Sequence, residues 1–80
     1  MKTHGVSFEI AASVFDDPNR LEEDDRFAKD EYRVILVGLT HTRFLTVVYT
    51  DRSDNETEVI MIISARRSTP HEIKKYHANR

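Results

Sequence analysis

The chain has 80 residues, a formal net charge of −2 and no cysteine. This length predicts one domain spanning residues 1–80. The lack of thiols excludes disulfides, thiolate metal sites and cysteine nucleophiles. No apolar run approaches the roughly 20 residues that cross a bilayer, and no signal-peptide core is present, so we expect a cytoplasmic protein without membrane contact. Charge is uneven: residues 1–40 hold five Lys and Arg against nine Asp and Glu, whereas residues 41–80 hold seven against five.

The first predicted element is a short helix from about Phe8 to Phe15. Ser7 is a typical N-cap residue, and apolar residues recur from Phe8 at the i, i+3, i+4 and i+7 spacing of one helix face. Pro18 disfavours helical geometry at Asp17, so the helix should end before that residue.

Three strands are predicted next, at Tyr32–Leu39, Phe44–Thr50 and Thr57–Ser64, because these runs are rich in β-branched and aliphatic residues. Their short connections join antiparallel neighbours, since a parallel crossover needs about a dozen residues or more. The charged residues 20–31 indicate an exposed loop, with a short edge strand as the alternative. The strands are apolar on both faces, so both faces should be covered or one should await a partner.

The strongest local signal is the start of a second helix, from about Pro70 to Ala78. Thr69 supplies a capping hydroxyl, Pro70 stands at the first helical position, and Glu72 completes a capping box. The predicted fold class is therefore α+β: a short helix, a three-stranded antiparallel meander and a C-terminal helix.

Two arginines, Arg66 and Arg67, stand between the third strand and this helix. If the strand continues through them, alternation points their side chains to opposite faces of the sheet. The adjacent helix N-terminus adds free N–H groups that favour an anion. The two arginines therefore form either a solvated basic end of the sheet or a phosphate site in which only one of them is the main ligand.

The remaining candidates for chemistry are histidines and one tyrosine. No HxxxH or HExxH spacing occurs, so no zinc site is expected. Histidine can act as a general acid or base near neutral pH, although simple exposure is the more common explanation for such residues. Tyr76 is either a core aromatic or a group that stacks and transfers protons.

Three segments together resemble one family. "KTHGVSFEIAASVFDDP", "YRVILVGLTHTRFLTVVYTDR" and "IISARRSTPHEIKKY" are similar, in this order, to the opening block, the central strand pair and the C-terminal block of BrnT-like toxins. The resemblance implies a RelE-like fold and a ribonuclease toxin of a type II toxin–antitoxin pair. It also implies neutralisation by a BrnA-like antitoxin that carries the operator-binding domain, so that the toxin meets DNA only indirectly.

The resemblance also assigns residues. The positions that match the family are His4, Arg43, Arg66, Glu72 and Tyr76, and Arg67 falls in the same block. We expect Arg66 to be the main RNA phosphate ligand and a catalytic residue, with Arg67 and Arg43 as supporting phosphate ligands. The catalytic proton carrier would be Tyr76 or a histidine, either His4 or His71, which stands in the first turn of the second helix. In such enzymes the RNA 2′-OH attacks its own 3′-phosphate and leaves a 2′,3′-cyclic phosphate. Basic side chains stabilise the developing charge, and neither a metal nor another cofactor is implied.

One departure from the family bears on activity. Members begin with a strand carrying an F-W-D motif and a helix that ends in Lys-His-Gly, whereas this chain begins at Met1, four residues before Gly5. The resemblance therefore implies an N-terminally truncated domain. The alternative function is a catalytically silent remnant that acts only as a protein-interaction module.

Overall fold

The computed structural model describes residues 4–25, 32–41 and 43–79. The helices and strands, in chain order, are α1 (Phe8–Ser13), a 3-10 turn (Val14–Asp16), β1 (Leu21–Asp24), β2 (Val34–Thr40), β3 (Arg43–Asp51), β4 (Ile60–Arg67) and α2 (Pro70–Ala78). The strands form one antiparallel sheet in the order β1-β2-β3-β4. The predicted α+β class is confirmed, with four strands where the sequence predicted three.

The additional strand is β1, at the edge of the sheet. It pairs with β2 from Leu21 opposite Val37 to Asp24 opposite Val34. Its side chains alternate between half-buried and exposed, and only Leu21 among them is apolar, so the strand carries almost no hydrophobic signal. A short, charged edge strand also discourages pairing with another chain. The alternative left open for this segment is therefore the correct one, and residues 26–31 lie outside the described part of the chain.

Helix α1 begins where the sequence predicted and ends two residues early. The Ser7 hydroxyl accepts a hydrogen bond from the Ile10 N–H at 3.2 Å, as an N-cap should. The chain then tightens into the 3-10 turn, and Asp17 leaves it in an extended conformation (φ −74°, ψ 116°) directly before Pro18. The proline therefore ends the helical path as predicted.

The two helices cover opposite faces of the sheet. Val14, at the end of α1, is fully buried against Gly38 of β2, where an added Cβ would lie 2.7 Å from a Val14 methyl group. The main core lies on this face and consists of Val6, Ala11, Val14, Val34, Leu36, Leu45, Val47, Tyr49 and Ala65. On the other face, Tyr76 of α2 packs edge-to-face on Phe44, with ring centroids 5.2 Å apart. Each face of the sheet thus carries a helix, although Leu39, Ile60 and Met61 remain exposed.

Helix α2 spans Pro70–Ala78, as predicted. The Glu72 N–H donates to the Thr69 hydroxyl at 3.2 Å, and the Thr69 N–H donates to the Glu72 carboxylate at 2.8 Å, so both halves of the capping box form. Across the described residues, neither helix has the length and apolar character needed to cross a membrane.

Candidate functional site

The two arginines at the end of β4 point to opposite faces, as alternation predicted. Arg66 lies opposite Thr46, and Arg67 lies opposite Leu45. Leu45 belongs to the core beneath α1, so Arg67 shares the α1 face of the sheet. Arg66 shares the α2 face. The two guanidinium groups therefore lie on opposite faces of the sheet and do not bind the same phosphate.

On the α2 face, Arg66 is already paired. Its guanidinium donates to both carboxylate oxygens of Glu72, at 2.7 and 2.9 Å. Burial alone would raise the pKa of Glu72, but the hydrogen bonds from Arg66 and the Thr69 N–H outweigh it and lower the pKa to about 2. The same pairing raises the pKa of Arg66. This ion pair fastens the start of α2 to the end of β4.

The lowered pKa of Glu72 predicts a loss of stability in acid. A carboxyl whose pKa falls on folding, here from 4.5 to about 2, stabilises the fold fully above pH about 4.5, and this contribution disappears as the pH falls towards about 2. The shift is worth at most about 3 kcal/mol, and we expect about 1–2 kcal/mol because the Arg66 side chain is 42% exposed and solvent screens the pair. Urea unfolding of the natural chain and of Glu72→Gln should therefore differ at pH 6 and converge near pH 2. A constant difference across this range would contradict the assignment.

On the α1 face, Arg67 has a second arginine as its diagonal neighbour. Arg43 lies two residues before Leu45, the direct partner of Arg67, and the Ser68 N–H donates to the Phe44 carbonyl at 3.0 Å, which keeps the strands paired at this end. Diagonal positions on one face lie about 7–8 Å apart, within the reach of long side chains. Both side chains are exposed. Within residues 4–25, 32–41 and 43–79, neither has a carboxylate partner. We call Arg43 and Arg67 the arginine pair.

A hollow of about 210 Å³ adjoins the arginine pair at the β2–β3 turn. Its lining consists of Gly5, Val6, Ile10, Thr40, His41, Arg43 and Leu45; we call it the hairpin hollow. Thr40 pairs with Arg43, so the turn has two residues, and its first residue, His41, has a φ of +54°, as tight hairpins require. Gly5 serves a turn with a φ of +84°, and His4 directly before it is exposed with a φ of +47°. His41 therefore lines this hollow, and His4 directly precedes the lining residue Gly5 in the chain.

Tyr76 is buried, and its hydroxyl is tied to a buried carboxylate. The hydroxyl donates to Asp17 at 2.8 Å, and the same carboxylate accepts from the N–H groups of Leu39 at 2.8 Å and Asn19 at 2.9 Å. Asp17 is only 9% exposed. Burial alone would raise its pKa, but these hydrogen bonds outweigh it and lower the pKa. Asp17 therefore links the end of the 3-10 turn, β2 and α2.

A second and larger hollow opens beside Tyr76. It measures about 480 Å³ and is lined by Ser13, Asp16, Asp17, Pro18, Asn19, Leu39, Thr40, His41, Phe44, Tyr76 and His77; we call it the aromatic hollow. Thr40 and His41 line both hollows. The β2–β3 turn thus separates an arginine-rich side from an aromatic side. Nowhere in the described ranges do three or more His, Asp or Glu side chains gather in a group that could hold a metal ion.

Comparison with known families identifies the kind of protein that has this structure. A family model described as the ribonuclease toxin, BrnT, of type II toxin–antitoxin systems matches residues 1–72. The chain belongs to the BrnT family. A comparison with curated proteins found no match. Membership of a type II family implies that an antitoxin is the partner of this toxin.

The BrnT match includes both members of the arginine pair and Arg66, and it ends at Glu72. The structure divides the predicted site residues of this BrnT-family chain between two faces. Arg43 and Arg67 share the α1 face, with His4 in the turn before the hairpin hollow. Arg66 and Tyr76 lie on the α2 face. His71 also lies there, exposed, and lines another hollow of about 210 Å³ together with Glu72 and Lys75.

The predicted site residues did not include four residues of this region, namely Asp17, His41, Phe44 and His77. His41 could have been found, because a histidine in a two-residue turn between strands must stand at the exposed tip of a hairpin. The sequence predicted that Asp17 ends the first helix and lies at the surface. The surface prediction is wrong, because Asp17 is buried and bonded to Tyr76, which is far away in the sequence. No local signal identifies the packing of His77 on Phe44, whose ring centroids are 5.4 Å apart.

Proposed function

We propose that this BrnT-family chain is an endoribonuclease in which Arg43 and Arg67 bind the phosphate to be cleaved. The observation that carries the proposal is the pairing of two exposed guanidinium groups on one face, without a carboxylate neighbour among the described residues. Guanidinium groups match phosphate oxygens in shape and charge. They are also donors that can stabilise the extra negative charge of a phosphorane-like transition state.

The proposed reaction is transfer of the phosphate within the RNA. The 2′-oxygen attacks the adjacent phosphorus, the bond to the 5′-oxygen breaks, and a 2′,3′-cyclic phosphate remains. One group must take the proton of the 2′-OH, and another must give a proton to the leaving 5′-oxygen. We assign these roles to His4 and His41, which lie beside and at the hairpin hollow. None of these steps requires a metal ion.

The other predicted residues rank behind these for physical reasons. Arg66 can bind a phosphate only by exchanging its two hydrogen bonds with Glu72. The Tyr76 hydroxyl can transfer a proton only after its bond to Asp17 opens. His71 lies on the α2 face, away from the arginine pair. We therefore propose that Arg66 and Tyr76 hold α2 in place, and that His71 takes no direct part.

We further propose a RelE-like fold, a cytoplasmic location and a BrnA-like antitoxin. The antitoxin would neutralise the toxin by covering the arginine pair, and it alone would contact operator DNA. This part rests on the resemblance of the three sequence blocks and on the family match.

The deciding experiment incubates the purified chain with RNA in EDTA. We expect cleavage that leaves 2′,3′-cyclic phosphate ends and that stops when the antitoxin is added. Cleavage that EDTA abolishes would contradict the metal-independent mechanism. A folded chain that binds the antitoxin but cleaves no RNA, with or without ribosomes, would favour the alternative of a silent interaction module.

A further inference from the structure

The aromatic hollow is lined by aromatic rings, and core packing does not account for the exposure of all of them. Phe44, Tyr76 and His77 contact each other edge-to-face, with centroids 5.2 to 5.5 Å apart. The contact of Phe44 with buried Tyr76 is part of the seam between β3 and α2. His77, in contrast, is exposed, and Leu39 at the same hollow is 41% exposed. An apolar and aromatic lining thus remains open to solvent.

The polar lining of this hollow disfavours an anion. Asp16 and Asp17 both border it, and the hydrogen bonds of Asp17 lower its pKa, so this carboxylate is charged at neutral pH. Carboxylates repel a phosphate, but they accept hydrogen bonds from the amino groups on the edge of a nucleobase. The volume of about 480 Å³ lies in the range of small-molecule sites. The hollow therefore suits a flat, neutral ring that carries N–H donors.

The position of the hollow fits the path of an RNA strand. Thr40 and His41 line both this hollow and the hairpin hollow, where Arg43 lies. A strand whose phosphate contacts the arginine pair can therefore continue around His41 and reach the aromatic side. Stacking of bases on aromatic side chains beside a basic surface is a common mode of single-strand binding.

We infer that the aromatic hollow binds one nucleobase of the RNA, adjacent to the phosphate at the arginine pair, by stacking on Phe44 and His77. Asp16 accepts a hydrogen bond from the amino group of that base and so favours bases that carry one. The inference rests on the proposed function in taking RNA as the ligand.

The test measures binding rather than cleavage. A short 2′-O-methyl RNA has no free 2′-OH to attack its phosphates, and a single 2-aminopurine within it loses fluorescence on stacking. We expect the natural chain to bind this RNA with quenching. Phe44→Leu, which keeps an apolar side chain but removes the ring, should bind about tenfold more weakly and quench less. Phe8→Leu removes an exposed ring from α1, outside this hollow, and should bind like the natural chain.

Two further variants keep the inference falsifiable if Phe44→Leu folds poorly. His77→Ala removes an exposed ring and should also reduce quenching, and Asp16→Asn should alter the preference among bases without changing affinity for an abasic strand. Equal binding and quenching by the natural chain and His77→Ala, or equal affinity for the normal and abasic strands, would overturn the inference. If the proposed function is wrong and the inference is right, the chain should bind this RNA and quench its fluorescence but should not cleave ordinary RNA.

Discussion

Replacement of both Arg43 and Arg67 by glutamine should lower kcat/KM for RNA cleavage by about 10²–10³-fold, the usual effect of removing donors that stabilise transition-state charge. Glutamine keeps a polar side chain but lacks the positive charge and most of the N–H donors of the guanidinium group. Both residues are exposed and have no carboxylate partner among the described residues, so thermal unfolding should be unchanged. The slope of log affinity against log salt should fall by about 0.7, the value for one phosphate contact on a single strand.

The matched control is the double variant Arg52→Gln with Lys74→Gln. Like the arginine-pair variant, it removes two positive charges, but from exposed positions outside both hollows. It should keep nearly full activity. Arg66→Gln forms a separate comparison: it should lower the free energy of unfolding, because Glu72 loses its partner, with a smaller effect on kcat/KM. If the arginine-pair variant cleaves as well as the control while folded Arg66→Gln does not, the phosphate site lies on the α2 face instead.

The parts of this fold that the sequence predicted depend on short-range chemistry. The capping box of α2 involves Thr69 and Glu72, three residues apart, and the N-cap of α1 involves Ser7 and Ile10. The divergence of Arg66 and Arg67 follows from strand alternation between adjacent residues. In each case the partners are neighbours in the chain, so the sequence pattern itself specifies the geometry.

The strand-to-strand arrangement of the site could not be predicted in the same way. The diagonal position of Arg43 relative to Arg67 depends on the register between β3 and β4. That register shifts between Val48 and Tyr49, where Ile63 of β4 is left without a pairing partner. No sequence signal marks this bulge. One residue more or less in the register would place Arg67 on the other face relative to Arg43.

The sequence predicted only one of the two interactions that Glu72 makes. The capping box explains the bond to the Thr69 N–H, and no sequence pattern indicates a second partner for Glu72. The structure shows the same carboxylate binding Arg66 across the junction. This pairing lowers the rank of Arg66 as a phosphate ligand, although the resemblance to the family had placed it first.

Replacement of Asp17 by alanine should have the largest effect on stability, a loss of about 3 kcal/mol in the free energy of unfolding. The change removes the acceptor of the N–H groups of Leu39 and Asn19 and of the Tyr76 hydroxyl. The bond from the Tyr76 hydroxyl is buried and the other two are partly buried, and a buried donor left without its acceptor costs about 1–3 kcal/mol. Urea unfolding, with the adjacent exposed Asp16→Ala as the matched control, measures the difference. A loss below about 0.5 kcal/mol, the range of surface substitutions, would contradict this role.

The energetic contribution of the hydrogen bond between Asp17 and Tyr76 can be measured with Tyr76→Phe and with the double variant that combines Asp17→Ala and Tyr76→Phe. Tyr76→Phe removes only the hydroxyl and should cost about 1 kcal/mol. Because the two side chains share one hydrogen bond of 2.8 Å, the double variant should lose less stability than the sum of the single losses. Additive losses would mean that the bond contributes nothing. Coupled losses would show that Asp17, at the end of the 3-10 turn, holds α2 against the sheet and so positions Tyr76 at the aromatic hollow.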